Sequence, residues 1–346
     1  MTQKEIAKEA GVSISTVSRV INNKGKSAAS QEIQDRIWEI VRRTNYVPND
    51  TAQKLRSSQE SKAEKTFGSI ECFFARMPFS DKDQFFSDLA RSIETEVLKL
   101  NHVLKYSFTA SSLQHSYNQK LLAESSAKGV MILGRCDNAA LILLKKRFKN
   151  LCFVGLNSYK KEFDSILCDG SEASKEAVNY LISLGHTRIG YIGETFNEVR
   201  YVGYRTAMIK NKLPTESRYV ADVILTYEGG YIGAKKLLES APNITAVFCA
   251  NDISAVGAMR AFQEAGLSVP NDISVIGIDD IEISKYLVPP LTTIHIPIEE
   301  MGNIAAKILI DRINGGHKIP LRVVLPFHLE VRGSCKKLSS PPRGQP

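Results

Sequence analysis

The stretch "AGVSISTVSRVINN", Ala10–Asn23, decides how the amino-terminal part of the chain is read. Its apolar positions recur at helical spacing, yet small hydroxylated residues stand where a core helix would carry leucines. Val17, Val20 and Ile21 form one face, and Ile14, Ser15, Thr16, Ser18 and Arg19 form the other. Upstream, Thr2 with Glu5 makes a capping box for a helix over residues 2–10, whose apolar stripe is Ile6, Ala7 and Ala10. Gly11 stops that helix, and Ser13 is the N-cap of the next, over 14–22. A third helix is expected from about Ser30 to Thr44, with Ile33, Ile37, Trp38, Ile40 and Val41 buried. Helix, glycine-containing turn and helix make a helix-turn-helix. Small outward residues let such a helix lie deep in a DNA major groove. Hydroxyls then meet phosphates or base edges, and an arginine can fork onto guanine. A three-helix protein-interaction bundle has the same local pattern, and spacing alone leaves it open.

Charge adds weight to DNA. The net charge of the 346-residue chain is +8, and residues 1–65 hold 12 Lys/Arg against 8 Asp/Glu. Half the excess therefore sits in under a fifth of the chain, as a polyanion-binding segment requires. The charged amino terminus lacks the apolar core of a secretory signal, and no apolar run approaches the ~20 residues that span a bilayer. A cytoplasmic location without membrane attachment is expected. The six cysteines show no metal-ligand spacing, so neither a metal nor another cofactor is expected.

Residues 47–62 are polar and read as a hinge or linker, in which Asn49 would cap a short helix through Leu55. From Phe67 the texture changes. Strand-like runs ("FGSIECFF", "VLKYSFTA", "GVMILG", "LCFVGL", "RIGYIG", "DVILT", "ITAVFCA", "ISVIGID") alternate with amphipathic segments such as 84–100, 171–184, 228–240 and 253–265. Such alternation predicts parallel sheets covered by helices on both faces. Two doubly wound sheets are expected, with a break near residue 160. "TTIHIP" and "LRVVLPFHLEVRG" would be crossovers that complete both.

The resemblance to a known family rests on long, ordered motifs. "KEIAKEAGVSISTVSRVINN" and "RRTNYVPNDTAQKLRSS" resemble the amino terminus and hinge of lactose-repressor (LacI/GalR) family regulators. "LGHTRIGYIG", "FCANDISAVGAMRAFQEAGLSVPNDISVIGIDDIEISKYLVPPLTTI" and "LEVRGS" resemble their core. The match runs over residues 2–334. It implies a helix-turn-helix headpiece on a core like that of periplasmic sugar-binding proteins, an α/β fold of two doubly wound parallel-sheet subdomains. The expected layout is a headpiece at 1–46, a hinge at 47–62, a core at 66–334 and a tail at 335–346. The N-subdomain would hold about 66–158 and 293–320, and the C-subdomain about 159–291 and 321–334. The resemblance implies a homodimer on double-stranded operator DNA, with an effector bound between the subdomains. The polar tail "KKLSSPPRGQP" is unlike the leucine-heptad helix that makes some members tetramers.

By the same resemblance Ile14, Ser15 and Arg19 touch bases, with Thr16, Ser18 and Asn22 completing the DNA-facing set. Leu55 matches the leucine that wedges into the central minor-groove step, with Arg56 beside it on phosphate. In doubly wound sheets ligands sit beyond the carboxyl ends of strands. Arg200, Asn251 and Asp279 stand there and match effector-contacting positions. Phe85 and Phe86 follow the first strand, just after Asp83. Carboxylate, amide, guanidinium and aromatic rings suit a sugar or sugar phosphate. Each has a structural alternative: Asn251 and Asp279 as helix caps, Arg200 as an ion-pair partner, the phenylalanines as core. Gly155 and Asn157 stand nearest the place where many members carry an aspartate, which leaves the sugar open. A purine or other corepressor needs the same parts. A stand-alone sugar receptor is opposed by the headpiece. Enzyme motifs fail: Gly25-Lys26-Ser27 has Val20 where a phosphate loop needs glycine, and neither H-E-x-x-H nor G-x-S-x-G occurs.

Overall fold

The computed structural model describes residues 3–22, 29–44, 68–75, 84–109, 115–157 and 162–338. The chain divides into two units, Met1–Thr66 and Phe67–Pro346. In the first, α1 (Gln3–Ala10), α2 (Ile14–Asn22) and α3 (Gln31–Arg43) enclose a small core of Ile6, Ala7, Ala10, Val17, Val20, Ile37 and Ile40. Gly11 turns the chain at φ 71°, which a side chain resists, and the Ser13 hydroxyl accepts the Thr16 amide at 3.1 Å. Thr2, the other half of the proposed capping box, lies outside the described residues. Trp38, expected inside, is 38% exposed. It follows Ile37 by one residue, about 100° around the helix, and so leaves the face that Ile33, Ile37, Ile40 and Val41 share.

The second unit holds two six-stranded sheets among the described residues. The first sheet contains β1 (Gly68–Phe74), β2 (His102–Thr109), β3 (Gly129–Leu133), β4 (Asn150–Gly155), β5 (Asp164–Cys168) and β11 (Arg322–Leu325), in the order β11-β5-β4-β3-β1-β2. The second contains β6 (Ile189–Gly193), β7 (Val220–Asp222), β8 (Ala246–Cys249), β9 (Ser274–Asp279), β10 (Thr292–His295) and β12 (His328–Glu330), in the order β12-β10-β9-β8-β6-β7. All pairings are parallel except β10 with β12. The helices α4 (Gln84–Lys99), α5 (Ser116–Glu124), α6 (Asn138–Arg147), α7 (Gly170–Ser183), α8 (Val199–Lys210), α9 (Tyr227–Ser240), α10 (Asp252–Glu264) and α11 (Ile298–Ile313) cover the faces. The strands β3, β4, β6, β8 and β9 are mostly apolar because both faces are buried, whereas the edge strands β2, β7, β11 and β12 carry exposed positions.

The division between the sheets differs from the expected one. β5 was not anticipated and belongs to the first sheet, so the break falls after Cys168 rather than near residue 160. Its leading Asp164 is fully buried because Arg312 grips it with a fork, His317 Nε2 reaches it at 3.0 Å and the Leu321 amide donates to it at 2.7 Å. β10, placed with the N-subdomain in the expected layout, pairs with β9 in the second sheet, whereas β11, placed with the C-subdomain, pairs with β5 in the first. The chain thus crosses between sheets after β5, after β10 and after β11. "DVILT" is not a strand beyond Asp222, because Thr226 caps α9 by accepting the Gly229 amide at 3.0 Å. The tail begins later than expected: Leu338 donates its amide to Leu184 at 2.8 Å, and the Lys336 carbonyl meets His186 Nε2 at 3.1 Å.

One buried acid makes a testable contribution to stability. Asp252 is fully buried at the start of α10 and accepts from Thr293 Oγ1 (2.6 Å), Ser284 Oγ (2.7 Å) and the Ile281 amide (3.2 Å). Burial pushes its carboxyl up to about 7, against the pull of those donors. Between pH ~4 and ~7 the folded chain therefore holds a proton that the unfolded chain has released, so folding stability falls as pH rises through that window. Asp252→Asn keeps the shape of the protonated acid and removes this slope. Denaturant unfolding should find variant and wild type alike near pH 4.5, and the variant more stable by on the order of 3 kcal/mol near pH 7.5. Parallel pH profiles would refute the assignment.

Candidate functional site

In the first unit, α2 turns two faces apart. Val17 and Val20 are buried, while Ile14, Ser15 and Arg19 are exposed and Thr16 and Ser18 are half-buried. The Ser13 hydroxyl lies 2.7 Å from that of Ser15 and 2.8 Å from that of Thr16, so the amino end of α2 carries a hydroxyl cluster. Arg19 Nε rests on the Ser15 carbonyl at 3.3 Å, which sets the guanidinium along the exposed face. Asn22 ends the helix. Glu9 on α1 and Arg43 on α3 form an ion pair that ties the outer helices. Leu55 and Arg56 lie outside the described residues, as does Asp83. This face is a set of donors and acceptors on a helix narrow enough for a major groove.

In the second unit, one cleft lies between the carboxyl ends of the two sheets, enclosing about 490 Å³ that is partly open to solvent. Phe85, Phe86, Gly134, Arg135, Gly155, Leu156 and Asn157 line it from the first sheet's side, and Glu198, Arg200, Asn251 and Asp279 from the second's. The cleft therefore gathers all five residues singled out for effector contact. Phe85 is buried in the apolar core and meets Phe86 edge-on at 5.1 Å, so Phe85 is both core and wall. Asn251 is both cap and wall: its side chain accepts the Ser254 amide at 3.2 Å. Asp279 ends β9 at φ 122°, a conformation rare for a residue with a side chain.

Arg200 lines the cleft and is also an ion-pair partner. Its fork is already engaged: Nε and Nη2 donate to Glu198 at 2.8 and 3.0 Å, and Nη1 donates to the Ala250 carbonyl at 2.9 Å. Burial alone would lower the guanidinium's pKa, but the charges of Glu198 and Asp279 outweigh it and hold it raised. Arg200 thus orders the cleft wall, leaving its remaining N–H groups for a ligand.

Two cleft residues escaped the sequence reading. Glu198 caps α8 and is buried against Arg200. Arg135 follows β3 and crosses to the loop after β6, where Nη1 donates to the Phe196 and Asn197 carbonyls at 2.8 Å each and Nη2 pairs with Glu194. Its Nη1 is also 3.7 Å from Glu198. The criterion that found Asn251, a polar residue just past a strand end, applies equally to Arg135. Because Arg135 joins the two sheets across the cleft, Arg135→Ala should favour an open form. A charge-assisted bond of this kind contributes about 1.5–3 kcal/mol. Small-angle scattering of the ligand-free variant should show a larger radius of gyration, and hydrogen exchange of 194–198 should quicken. Unchanged scattering and exchange would show that the bridge holds nothing.

Among the described residues no cluster of side chains fits a metal ion, and no helix is long and apolar enough to cross a membrane.

Residues 2–49 match the model of bacterial regulatory proteins of the lacI family, and residues 178–335 match a periplasmic binding protein-like domain. The HTH-type transcriptional repressor MelR of Bacillus subtilis (strain 168) is 31% identical over 96% of this chain and 96% of its own. The ribose operon repressor of Escherichia coli (strain K12) is 32% identical over 96% of this chain and 99% of its own. Among solved structures, a transcriptional regulator CelR–cellobiose complex superposes with a TM-score of 0.72 at 26% identity, covering 96% of this chain and 99% of that one. With its headpiece, its two-sheet core and relatives similar over nearly their whole length, the chain belongs to the lacI family of bacterial regulatory proteins.

Proposed function

We propose that the protein is a sequence-specific transcriptional repressor, acting as a homodimer on operator DNA in the cytoplasm, and that a small carbohydrate in the cleft sets its operator affinity. The observation that carries the ligand class is the cleft itself. The two sheets and the helices that follow their strands bring two carboxylates (Glu198, Asp279), two amides (Asn157, Asn251), two guanidiniums (Arg135, Arg200) and the rings of Phe85, Phe86 and Phe153 to a single space. A carboxylate accepts paired hydroxyls, and rings cover the apolar C–H face of a sugar. A ribose operon repressor and a cellobiose-bound transcriptional regulator among the relatives support the same class. The cleft residues have partners suited to binding, with no nucleophile–base pair among them, which favours a regulator over a catalyst.

Linkage supplies the mechanism. A ligand that bridges both walls changes the angle between the sheets, and with it the spacing of the two hinges of a dimer. The expected hinge at 47–62, which would carry that change to the DNA, lies outside the described residues. Coupling of this kind amounts to ~1–3 kcal/mol. A thermal-shift screen of ribose, cellobiose, other pentoses and hexoses, their phosphates and purine bases tests the reading, with operator titration in the presence of each hit. A sugar that both stabilises the protein and shifts operator affinity is the expected result. Hits confined to purine bases would replace the carbohydrate by a purine effector.

A further inference from the structure

β9 ends at Asp279 (φ 122°), and a second aspartate, Asp280 (φ 58°), follows it directly. A side chain in this region is held there by its surroundings rather than by its own preference. Asp279 lines the cleft, whereas the Asp280 carboxylate turns to the strands by which the chain leaves and re-joins the second sheet. Its Oδ2 lies 2.9 Å from His295 Nδ1, and its Oδ1 accepts from Arg332 Nη2. His295 is the last residue of β10, from which the chain passes to α11 on the first sheet. His328 opens β12, reached from β11 of the first sheet, and its ring lies 4.7 Å from that of His295. Arg332 also donates Nη1 to the Leu291 carbonyl at 3.0 Å and its amide to Thr292 Oγ1 at 2.9 Å. Glu330 holds the far side of His328 at 2.9 Å.

We propose that Asp280 is a positioning residue for the effector: the Arg332–Asp280–His295 clamp fixes the Asp279 carboxylate in the cleft and couples it to two of the three crossovers between the sheets, those after β10 and after β11. Asp280 is not among the residues that line the cleft. It holds the positive-φ backbone that aims Asp279, and its partners are His295, at the end of β10, and Arg332, just beyond β12. Force on Asp279 from a bound hydroxyl thereby reaches both crossovers through one carboxylate. The inference rests on the cleft being the effector site, and it names a residue one step behind that site.

The test uses the full-length protein with Asp280→Gly, Asp280→Asn and, as a control on the cleft, Asp279→Ala. Glycine accepts positive φ freely and removes the clamp, while asparagine keeps the shape and can still accept from Arg332. Two quantities are read: ligand-free hydrogen exchange, and titration with ribose and with cellobiose. Asp280→Gly should quicken exchange at 277–282 and at both 294–298 and 326–329 by at least tenfold. It should lower sugar affinity at least tenfold. Asp280→Asn should fall between. Faster exchange confined to 277–282 overturns the coupling, and unchanged sugar affinity in Asp280→Gly overturns the positioning role. If Asp279→Ala binds sugar like wild type, or wild type binds neither sugar, it is the effector-site reading that fails at these probes, and the exchange pattern at the crossovers still decides the clamp.

Discussion

Arg19→Ala is expected to erase most of the discrimination between operator and non-operator DNA while leaving the three-helix unit folded. Arg19 is exposed on α2, and its Nε contact to Ser15 lies within its own helix, so the small core of Ile6, Val17, Val20, Ile37 and Ile40 loses nothing on truncation. A bidentate arginine–guanine contact is the strongest single base contact available to this face, and its loss costs ~1–3 kcal/mol. The ratio of specific to non-specific affinity should therefore fall by about five- to 150-fold at fixed salt. Arg19→Lys separates charge from geometry. It keeps a cation for phosphate, so the salt dependence should stay close to that of wild type, but it lacks the planar fork. The operator is obtained by selection from random duplexes, and both variants are titrated against it and a scrambled duplex. An undiminished ratio in Arg19→Ala would remove Arg19 from the base-reading set.

The second large effect is expected at Asp279. Its carboxylate is nearly buried at the end of β9, in the field of Arg200, and faces the cleft. A charged hydrogen bond to a ligand hydroxyl contributes about 1.5–3 kcal/mol, so Asp279→Ala should weaken sugar binding by roughly ten- to 150-fold. Calorimetric titration with the sugar identified by the screen measures it, and wild-type affinity in the variant would place the effector elsewhere. Arg200→Ala is a different experiment. Removing Arg200 strips Glu198 of the fork that compensates its burial, and breaking a buried pair on one side costs about 3–5 kcal/mol. That variant should lose core stability as well as sugar affinity, whereas Asp279→Ala should chiefly lose affinity. Comparing the two by thermal unfolding separates the residue that meets the ligand from the one that holds the wall.

The three headpiece helices were legible in the sequence, the exposure of Trp38 excepted, because their determinants are local. Helical period, the positive φ of Gly11 and the Ser13 cap all act within about four residues, and they placed α1, α2 and α3 within a residue or two of where they stand. The α/β alternation of the core and the strand-end positions of Asn251 and Asp279 were legible for the same reason: apolar runs and polar stops are neighbours in the chain. What tertiary structure alone decided is which partner each buried charge has. β5 begins with an aspartate and a serine, outside the apolar runs taken for strands, and it lies inside the sheet with Arg312, His317 and Leu321 satisfying Asp164 from about 150 residues away. Arg200 became a wall residue because Glu198 takes its fork, and Arg135 became a bridge because the loop after β6 offers it two carbonyls. The crossovers were recognised as such, but their allotment to sheets rested on pairings between strands far apart in sequence. Local pattern sets the cost of burying an apolar or polar group; whether that cost is offset depends on groups that only the folded chain brings within 3 Å.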